Sequence, residues 1–323
     1  MIYPKQVIFD PTNRCNLSCK GCYRKDFSLD VTFMDFSLFT KIIQELWSWG
    51  TYPDVVISGY GEALLHPDIA KMFLFATTTD SLGKFLKCSI ATNGTVERKD
   101  LLDIMFDRPE RVGQFCVSLD GFSLSRKNFR GSDSLQPGYL VEDIIKHNRL
   151  GKEGKDGPSV PLAVSMVRSI QSWEEVERFI LYFLSFGVKM VIIRHEEDLS
   201  RDARGFDRYR CHHLNGRSIC LHPDGHVGLC PRTGRDVIIG DAREESLLSI
   251  YNGEKMRPYR DHFPNDVCQR CPVPFSGLGI YGEVEFKDWP GTKVYMKQDH
   301  YNQVFSLEDT RKGLGWEEEE EEK

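Results

Sequence analysis

Three cysteines fall within eight residues near the start of the chain: Cys15, Cys19 and Cys22, in the run DPTNRCNLSCKGCY. Thiolates at these spacings can wrap one corner of a compact iron–sulfur cube. Such a cube takes four ligands, so three thiolates leave one iron open to a small chelating molecule. A structural zinc site would be closed by four protein ligands. No fourth cysteine or histidine lies near in sequence, the first histidine being His66.

A second group is spread more widely. Cys211 is followed after thirteen residues by Gly225, then after four more by Cys230, and Cys268-x2-Cys271 comes later. The run HPDGHVGLC reads as a hairpin turning at Asp224-Gly225, which returns Cys230 at the end of a tight turn. Four thiolates set out this way can enclose a metal completely, and zinc or a 4Fe–4S cluster both fit the count. Cys220 reads as a buried strand thiol; exchange with Cys211 as ligand, or hydrogen-atom donation to a substrate radical, are its alternatives. Cys88 and Cys116 sit inside apolar runs and read as core. His212, His213, His222 and His226 surround the second group and read as surface residues or as neighbours of its ligands. Ten cysteines in an intracellular chain argue for metal binding over disulfides.

These groups need a frame. QVIFD (6–10), DVVIS (54–58), FLKCSIAT (85–92), QFCVSLD (114–120), PLAVSMV (161–167) and MVIIRH (190–195) read as buried strands. Amphipathic stretches lie between them, at 36–50, 66–79 and 172–187, with Gly50 and Gly187 placed as helix stops and Ser172/Glu175 as a capping box. Alternation of this kind predicts a parallel α/β sheet with right-handed crossovers, its working residues at the carboxyl ends of the strands. After residue 196 the pattern turns polar. One helix is expected over 244–260, and from Pro272 onward no element is assigned.

The first cysteine run resembles the signature of the radical S-adenosylmethionine (SAM) superfamily. Two departures are visible: Gly21 stands where an aromatic often precedes the last cysteine, and Tyr23 follows it. Tyr23 is then either a stacking partner for adenine or a packing residue. SGYGEALLHPDI (58–69) resembles the family's Gly-Gly-Glu-Pro segment, with Ala63 in place of the proline. The resemblance implies close backbone approach at Gly59 and Gly61 and an ammonium-accepting carboxylate at Glu62. SIATNGT (89–95) resembles the third strand end, with Asn93 lining the pocket. VSLDG (117–121) and NFRGS (128–132) resemble the fourth, making Ser118, Asp120 and Arg130 candidates for ribose, carboxylate or substrate contacts. Met166 reads as core filler. The region from Cys211 is similar to the auxiliary-cluster extensions called SPASM and Twitch. No cysteine follows Cys271, so the shorter Twitch form is expected, its cluster on Cys211, Cys230, Cys268 and Cys271.

The resemblance thus implies a partial (β/α)6 TIM-like barrel over 1–196, a small α/β auxiliary-cluster domain over 197–275, and a C-terminal extension over 276–323. It implies two 4Fe–4S clusters and S-adenosyl-L-methionine as cofactors, with flavodoxin or ferredoxin as the kind of reducing partner. Arg194 and His195, ending the sixth strand, are candidates for a substrate base or clamp. The expected activity is hydrogen abstraction by a 5′-deoxyadenosyl radical, then oxidation of a small polar molecule with the auxiliary cluster as electron acceptor. Radical epimerisation or isomerisation of a sugar or nucleotide, peptide modification, and a zinc-stabilised binding protein are the alternatives.

Composition narrows the partners. Of the net charge of -6, the acidic run Glu317–Glu322 with Lys323 carries -5, so the rest is nearly neutral and gives no nucleic-acid signature. That run reads as a solvated, disordered tail. No apolar stretch approaches the roughly 20 residues of a membrane helix, and no signal-peptide layout opens the chain; a cytoplasmic location is expected.

Overall fold

The computed structural model describes residues 1–20, 22, 24, 30, 32–131, 136–150, 159–168, 173–195, 218–231, 237–261, 281–284, 294–299 and 302–307. The first half alternates strand and helix: β1 (Gln6–Phe9), α1 (Phe36–Ser48), β2 (Asp54–Ile57), α2 (Ile69–Ala76), β3 (Cys88–Thr92), α3 (Lys99–Asp107), β4 (Val112–Ser118), α4 (Ser123–Arg130), α5 (Gln136–Leu150), β5 (Leu162–Arg168), α6 (Trp173–Phe186) and β6 (Met190–His195). The second half supplies β7 (Ser218–Leu221), β8 (His226–Gly228), β9 (Ile238–Asp241), α7 (Leu247–Asn252), α8 (Arg257–Asp261), β10 (Tyr281–Val284), β11 (Val294–Asp299) and β12 (Asn302–Leu307).

Local chemistry sets these boundaries. Asp35 caps α1, its carboxylate accepting from the Ser37 backbone N–H at 2.6 Å. Leu38, Phe39, Ile42, Ile43 and Leu46 form one buried stripe on that helix. Gly50 and Gly187, at φ +68° and +106°, end α1 and α6 in the left-handed region that glycine enters without strain. The single helix expected over 244–260 is two short ones. The Gly253 N–H closes α7 on the Ile250 carbonyl, and α8 starts afresh at Arg257. Ser172 lies outside the described residues.

The strands of the described residues join one open sheet in the order β10-β11-β12-β6-β5-β4-β3-β2-β1-β7-β8-β9. From β6 through β7 the pairing is parallel; the strands beyond on either side are antiparallel. The sheet has the parallel α/β character and open, partial-barrel form read from the sequence. One face, with Phe9, Ile57, Ile90, Phe115, Val164, Met166 and Ile193, packs on the helices in the main core. The alternate residues form the inner face, where Cys116, Ala163, Met190 and Ile192 cluster against Ala91 and Val304. Cys88 belongs to the main core and Cys116 to this inner cluster.

Candidate active site at the strand ends

The loop after β1 is stitched down before it reaches the cysteines. Thr12 donates its hydroxyl to the Thr32 carbonyl at 2.8 Å and accepts from the Arg14 N–H at 3.1 Å. The buried Asn13 amide donates to the Asp30 carbonyl and accepts from the Thr32 N–H, at 2.7 and 2.8 Å. Beyond this anchor Cys15, Cys19 and Cys22 are all half-buried. The Leu17 N–H donates to the Cys15 sulfur at 3.4 Å, and the Cys22 N–H to the Cys19 carbonyl at 3.3 Å. The Lys20 N–H reaches the Phe129 carbonyl at 2.8 Å, bringing the loop against the last turn of α4. Burial pushes the Cys15 and Cys19 thiols up; Leu17 and Arg130 respectively oppose it, and Cys22 adds to both shifts. The three sulfurs therefore share one electrostatic neighbourhood. Among the described residues no three His, Cys, Asp or Glu side chains converge on a single ion position. A cube does not ask them to, because each thiolate meets a different iron.

Glu62 is 3% exposed and sits beside this loop. Its Oε1 accepts from the Leu64 N–H at 3.0 Å and the Thr92 hydroxyl at 2.7 Å; its Oε2 accepts from the Asn93 N–H at 2.7 Å. Burial raises its pKa, while Thr92, Asn93, Leu64 and the Arg130 charge pull it down. A carboxylate offers about four acceptor positions, so three protein donors leave about one, on Oε2. Thr92 was not read from the sequence as part of the site; its place beside Asn93 at a strand end was the available signal. Asn93 itself links two strand ends. Its side-chain amide donates to Asn16 at 3.0 Å and lies 3.9 Å from the Cys15 sulfur, while its carbonyl accepts from the Thr95 N–H and hydroxyl.

The glycines of this segment serve the chain's own packing. A Cβ on Gly59 would lie 2.0 Å from the Asp10 carboxylate, and one on Gly61 2.0 Å from the Thr12 carbonyl. The close approach expected at both positions is thus to the β1 loop. It lets Glu62 donate its N–H to the Arg14 carbonyl at 2.7 Å. Asp120 and Arg130 likewise meet each other: both are buried, and Arg130 Nε donates to Asp120 at 2.7 Å. Asp120 also accepts from the Val167 N–H at 2.7 Å, and Arg130 donates to the Asn93 carbonyl at 3.2 Å. Asp120 holds a φ of +56° to make this turn. Ser118 accepts from the Ser165 hydroxyl at 3.2 Å on the inner face. Arg194 is half-buried on the inner face of β6. His195 ends β6 in register with Arg168; its side chain, like Tyr23, lies outside the described residues.

The second cysteine region rises from the neighbouring strand. β7 lies parallel to β1, with Ile8 opposite Cys220 and Phe9 opposite Leu221, and the Asp10 N–H donates to the Leu221 carbonyl at 2.9 Å. The turn falls at Asp224-Gly225 as expected, Gly225 taking φ +92°. Cys220 and Cys230 are both buried, and burial, then Asp10 and Cys230, drives the Cys220 thiol far up. The buried reading of Cys220 is the one its surroundings favour. Tyr60 joins the two regions. Its N–H donates to Asp10 at 3.1 Å, its hydroxyl to the Pro231 carbonyl at 3.0 Å, and its ring stacks on buried His222 at 5.8 Å. Tyr60 was missed in the sequence because nothing local marks a side chain that reaches 171 residues onward. Cys211, Cys268 and Cys271 lie outside the described residues.

A family model described as "Radical SAM superfamily" matches residues 9–147, which takes in the cysteine loop, Glu62, Asn93, Asp120 and Arg130. Residues 9–147 therefore carry a radical SAM domain. A second model, "Iron-sulfur cluster-binding domain" of the SPASM type, matches residues 211–272, from Cys211 to just past Cys271. Among curated proteins, the radical SAM chain is 26% identical over 313 residues to the antilisterial bacteriocin subtilosin biosynthesis protein AlbA of Bacillus subtilis, covering 85% of this chain and 66% of AlbA. It is 23% identical over 194 residues to a tungsten-containing aldehyde ferredoxin oxidoreductase cofactor-modifying protein of Pyrococcus furiosus, covering 58% of this chain and 51% of that one. The chain spans about half to two thirds of the length of these relatives. Among solved structures, Streptococcus suis SuiB bound to S-adenosylmethionine superposes with a TM-score of 0.65 at 13% identity, over 84% of this chain and 72% of SuiB; the same protein is described bound to precursor peptide SuiA.

A radical SAM domain and a SPASM-type domain imply 4Fe–4S clusters, and structural neighbours such as SuiB are described with S-adenosylmethionine bound. The residues present fit the first site. Three neighbouring thiols, a buried carboxylate with one acceptor position left and the Asn93 amide meet at the ends of β1, β2 and β3. No helix of the described residues is long and apolar enough to cross a membrane.

Proposed function

We propose that this radical SAM enzyme carries out an oxidative modification of a substrate held on the inner face of the sheet. When bound, the cofactors supply a 5′-deoxyadenosyl radical that takes a substrate hydrogen atom and, at the auxiliary site, a sink for the remaining electron. The chain's own residues prepare the site. Cys15, Cys19 and Cys22 hold the first cluster and leave one iron open. Glu62, fixed by three donors, presents Oε2 to the cofactor ammonium. Asp120 and Arg130 hold the β4 and β5 ends against the cysteine loop rather than touching the reacting atoms. Cys211, Cys230, Cys268 and Cys271 hold the auxiliary cluster.

One observation carries the oxidative reading: the two cysteine regions rise from adjacent parallel strands, β1 and β7, and Tyr60 bonds to both. That arrangement suits electron transfer from a radical formed between them. The relatives bear on the substrate. AlbA aligns over 85% of the chain and SuiB is described with a precursor peptide, which favours a peptide over the small polar molecule expected from sequence.

The test is anaerobic turnover of the reconstituted enzyme on matched panels of precursor peptides and small polar alcohols and amino sugars, with reduced flavodoxin or ferredoxin as electron source. A product lacking two hydrogens, formed in step with 5′-deoxyadenosine, is expected from the peptide panel. A product of unchanged mass that has taken up a solvent hydrogen would establish epimerisation instead. Oxidised product from the small-molecule panel alone would return the substrate to that class.

A further inference from the structure

We infer that Arg194 anchors a carboxylate of the substrate on the inner face of the sheet, where β6 lies between β5 and β12. The inference rests on the substrate occupying this face, as proposed above, and not on the reaction being an oxidation.

Arg194 stands in register with Val167 on β5 and Asn302 on β12, at the carboxyl end of β6. Two residues earlier on the same face is Ile192, part of the apolar cluster with Cys116, Ala163 and Met190. The positive charge of Arg194 reaches the Cys116 thiol in that cluster, which places the guanidinium above an apolar floor. Its Nε is buried and has no hydrogen-bond partner, and no described carboxylate forms an ion pair with it.

Arg130, buried at the strand ends, makes the contrast. Arg130 is spent on Asp120 at 2.7 Å and on the Asn93 carbonyl at 3.2 Å. A buried donor left unmatched is costly, and a cation over an apolar surface costs more. A ligand that meets the donor removes that cost. The guanidinium edge formed by Nε and one Nη matches a carboxylate with two parallel bonds, and the apolar floor strengthens the attraction. A carboxylate carries the single charge that one unspent arginine can balance. A phosphate would call for a second cation, and Arg130, the buried arginine described at the strand ends, is already paired.

The probes are benzoate, its neutral isostere benzamide, and phenyl phosphate, added to the reconstituted enzyme and followed by ligand-observed NMR. Benzoate is expected to bind the wild type. Arg194→Gln should weaken it by about 10- to 150-fold, the range for a charge-assisted hydrogen bond. Arg194→Lys, which keeps the charge and loses the fork, should fall between. Benzamide should be indifferent to both substitutions. Circular dichroism and iron content establish that each variant is folded; if Arg194→Gln is not, Arg194→Lys carries the test. Unchanged benzoate affinity in a folded variant would overturn the inference. So would phenyl phosphate binding more tightly than benzoate and losing that affinity with Arg194.

Discussion

The two cysteine regions are built on neighbouring strands yet held in opposite ways. Cys15, Cys19 and Cys22 lie on a loop that is itself the cover of the site. They are half-exposed, bonded within the loop by Leu17 and between Cys22 and Cys19, and met from the end of β3 by the Asn93 amide. Cys230 is buried at the close of a hairpin whose strands continue the sheet, with Cys220 and His222 buried beside it. The difference separates two jobs. An open loop of thiols can admit a second molecule to a metal held there, while a thiol buried beside the β7–β8 hairpin is shielded from one.

The largest effect that would break this contrast is loss of the open site. Replacing Cys15, Cys19 or Cys22 with alanine should abolish 5′-deoxyadenosine formation, because two thiolates hold a cube with one free iron poorly. Activity surviving in any one of them, measured chromatographically, would mean the loop is not the cofactor site. Next comes the sealed site. Cys230→Ala should lose about half of roughly eight irons per chain, the content of two cubes. It should still cleave S-adenosylmethionine but form no oxidised product. Wild-type product formation by a folded variant would remove the electron-acceptor role.

Glu62 sharpens the comparison at intermediate size. Glu62→Gln keeps the shape but loses the charge, and should weaken S-adenosylmethionine binding by about 10- to 150-fold, the value of a charge-assisted bond, with iron content retained. Calorimetric titration showing unaltered affinity would confine Glu62 to holding the loop. Tyr60→Phe should be the mildest. It keeps the stack on His222 and loses the bond to Pro231, about 0.5–1.5 kcal/mol, read from the denaturant midpoint.

Much of the frame was legible from local pattern. The six strands and three helices of the first half begin and end within a few residues of their expected places, because apolar period and glycine stops act over short range. The residues meant to carry chemistry were legible as positions but less so as contacts. Gly59 and Gly61 are legible as points of close backbone approach, but not the partners of that approach, Asp10 and the Thr12 carbonyl. Asp120 and Arg130 are legible as polar residues at a strand end, but not as the ion pair they form. Such pairings depend on which loops meet across the sheet, which no local window contains. β10, β11 and β12 were not assigned at all. They are antiparallel strands at the sheet's end, and their place beside β6 is fixed by long-range pairing rather than by a strong apolar run.

The position of β7 and β12 has a practical consequence for anyone cutting the chain. β1 and β6 bound the run of six strands supplied by the first half, yet each is an interior strand, covered by β7 on one flank and β12 on the other. A fragment ending at residue 196 would keep every residue of the first cysteine loop. It would also bare two rows of backbone donors and acceptors on apolar strands, the template on which proteins aggregate edge to edge. The radical-generating half is therefore expected to be insoluble when expressed by itself, and to stay in solution only with the later strands attached.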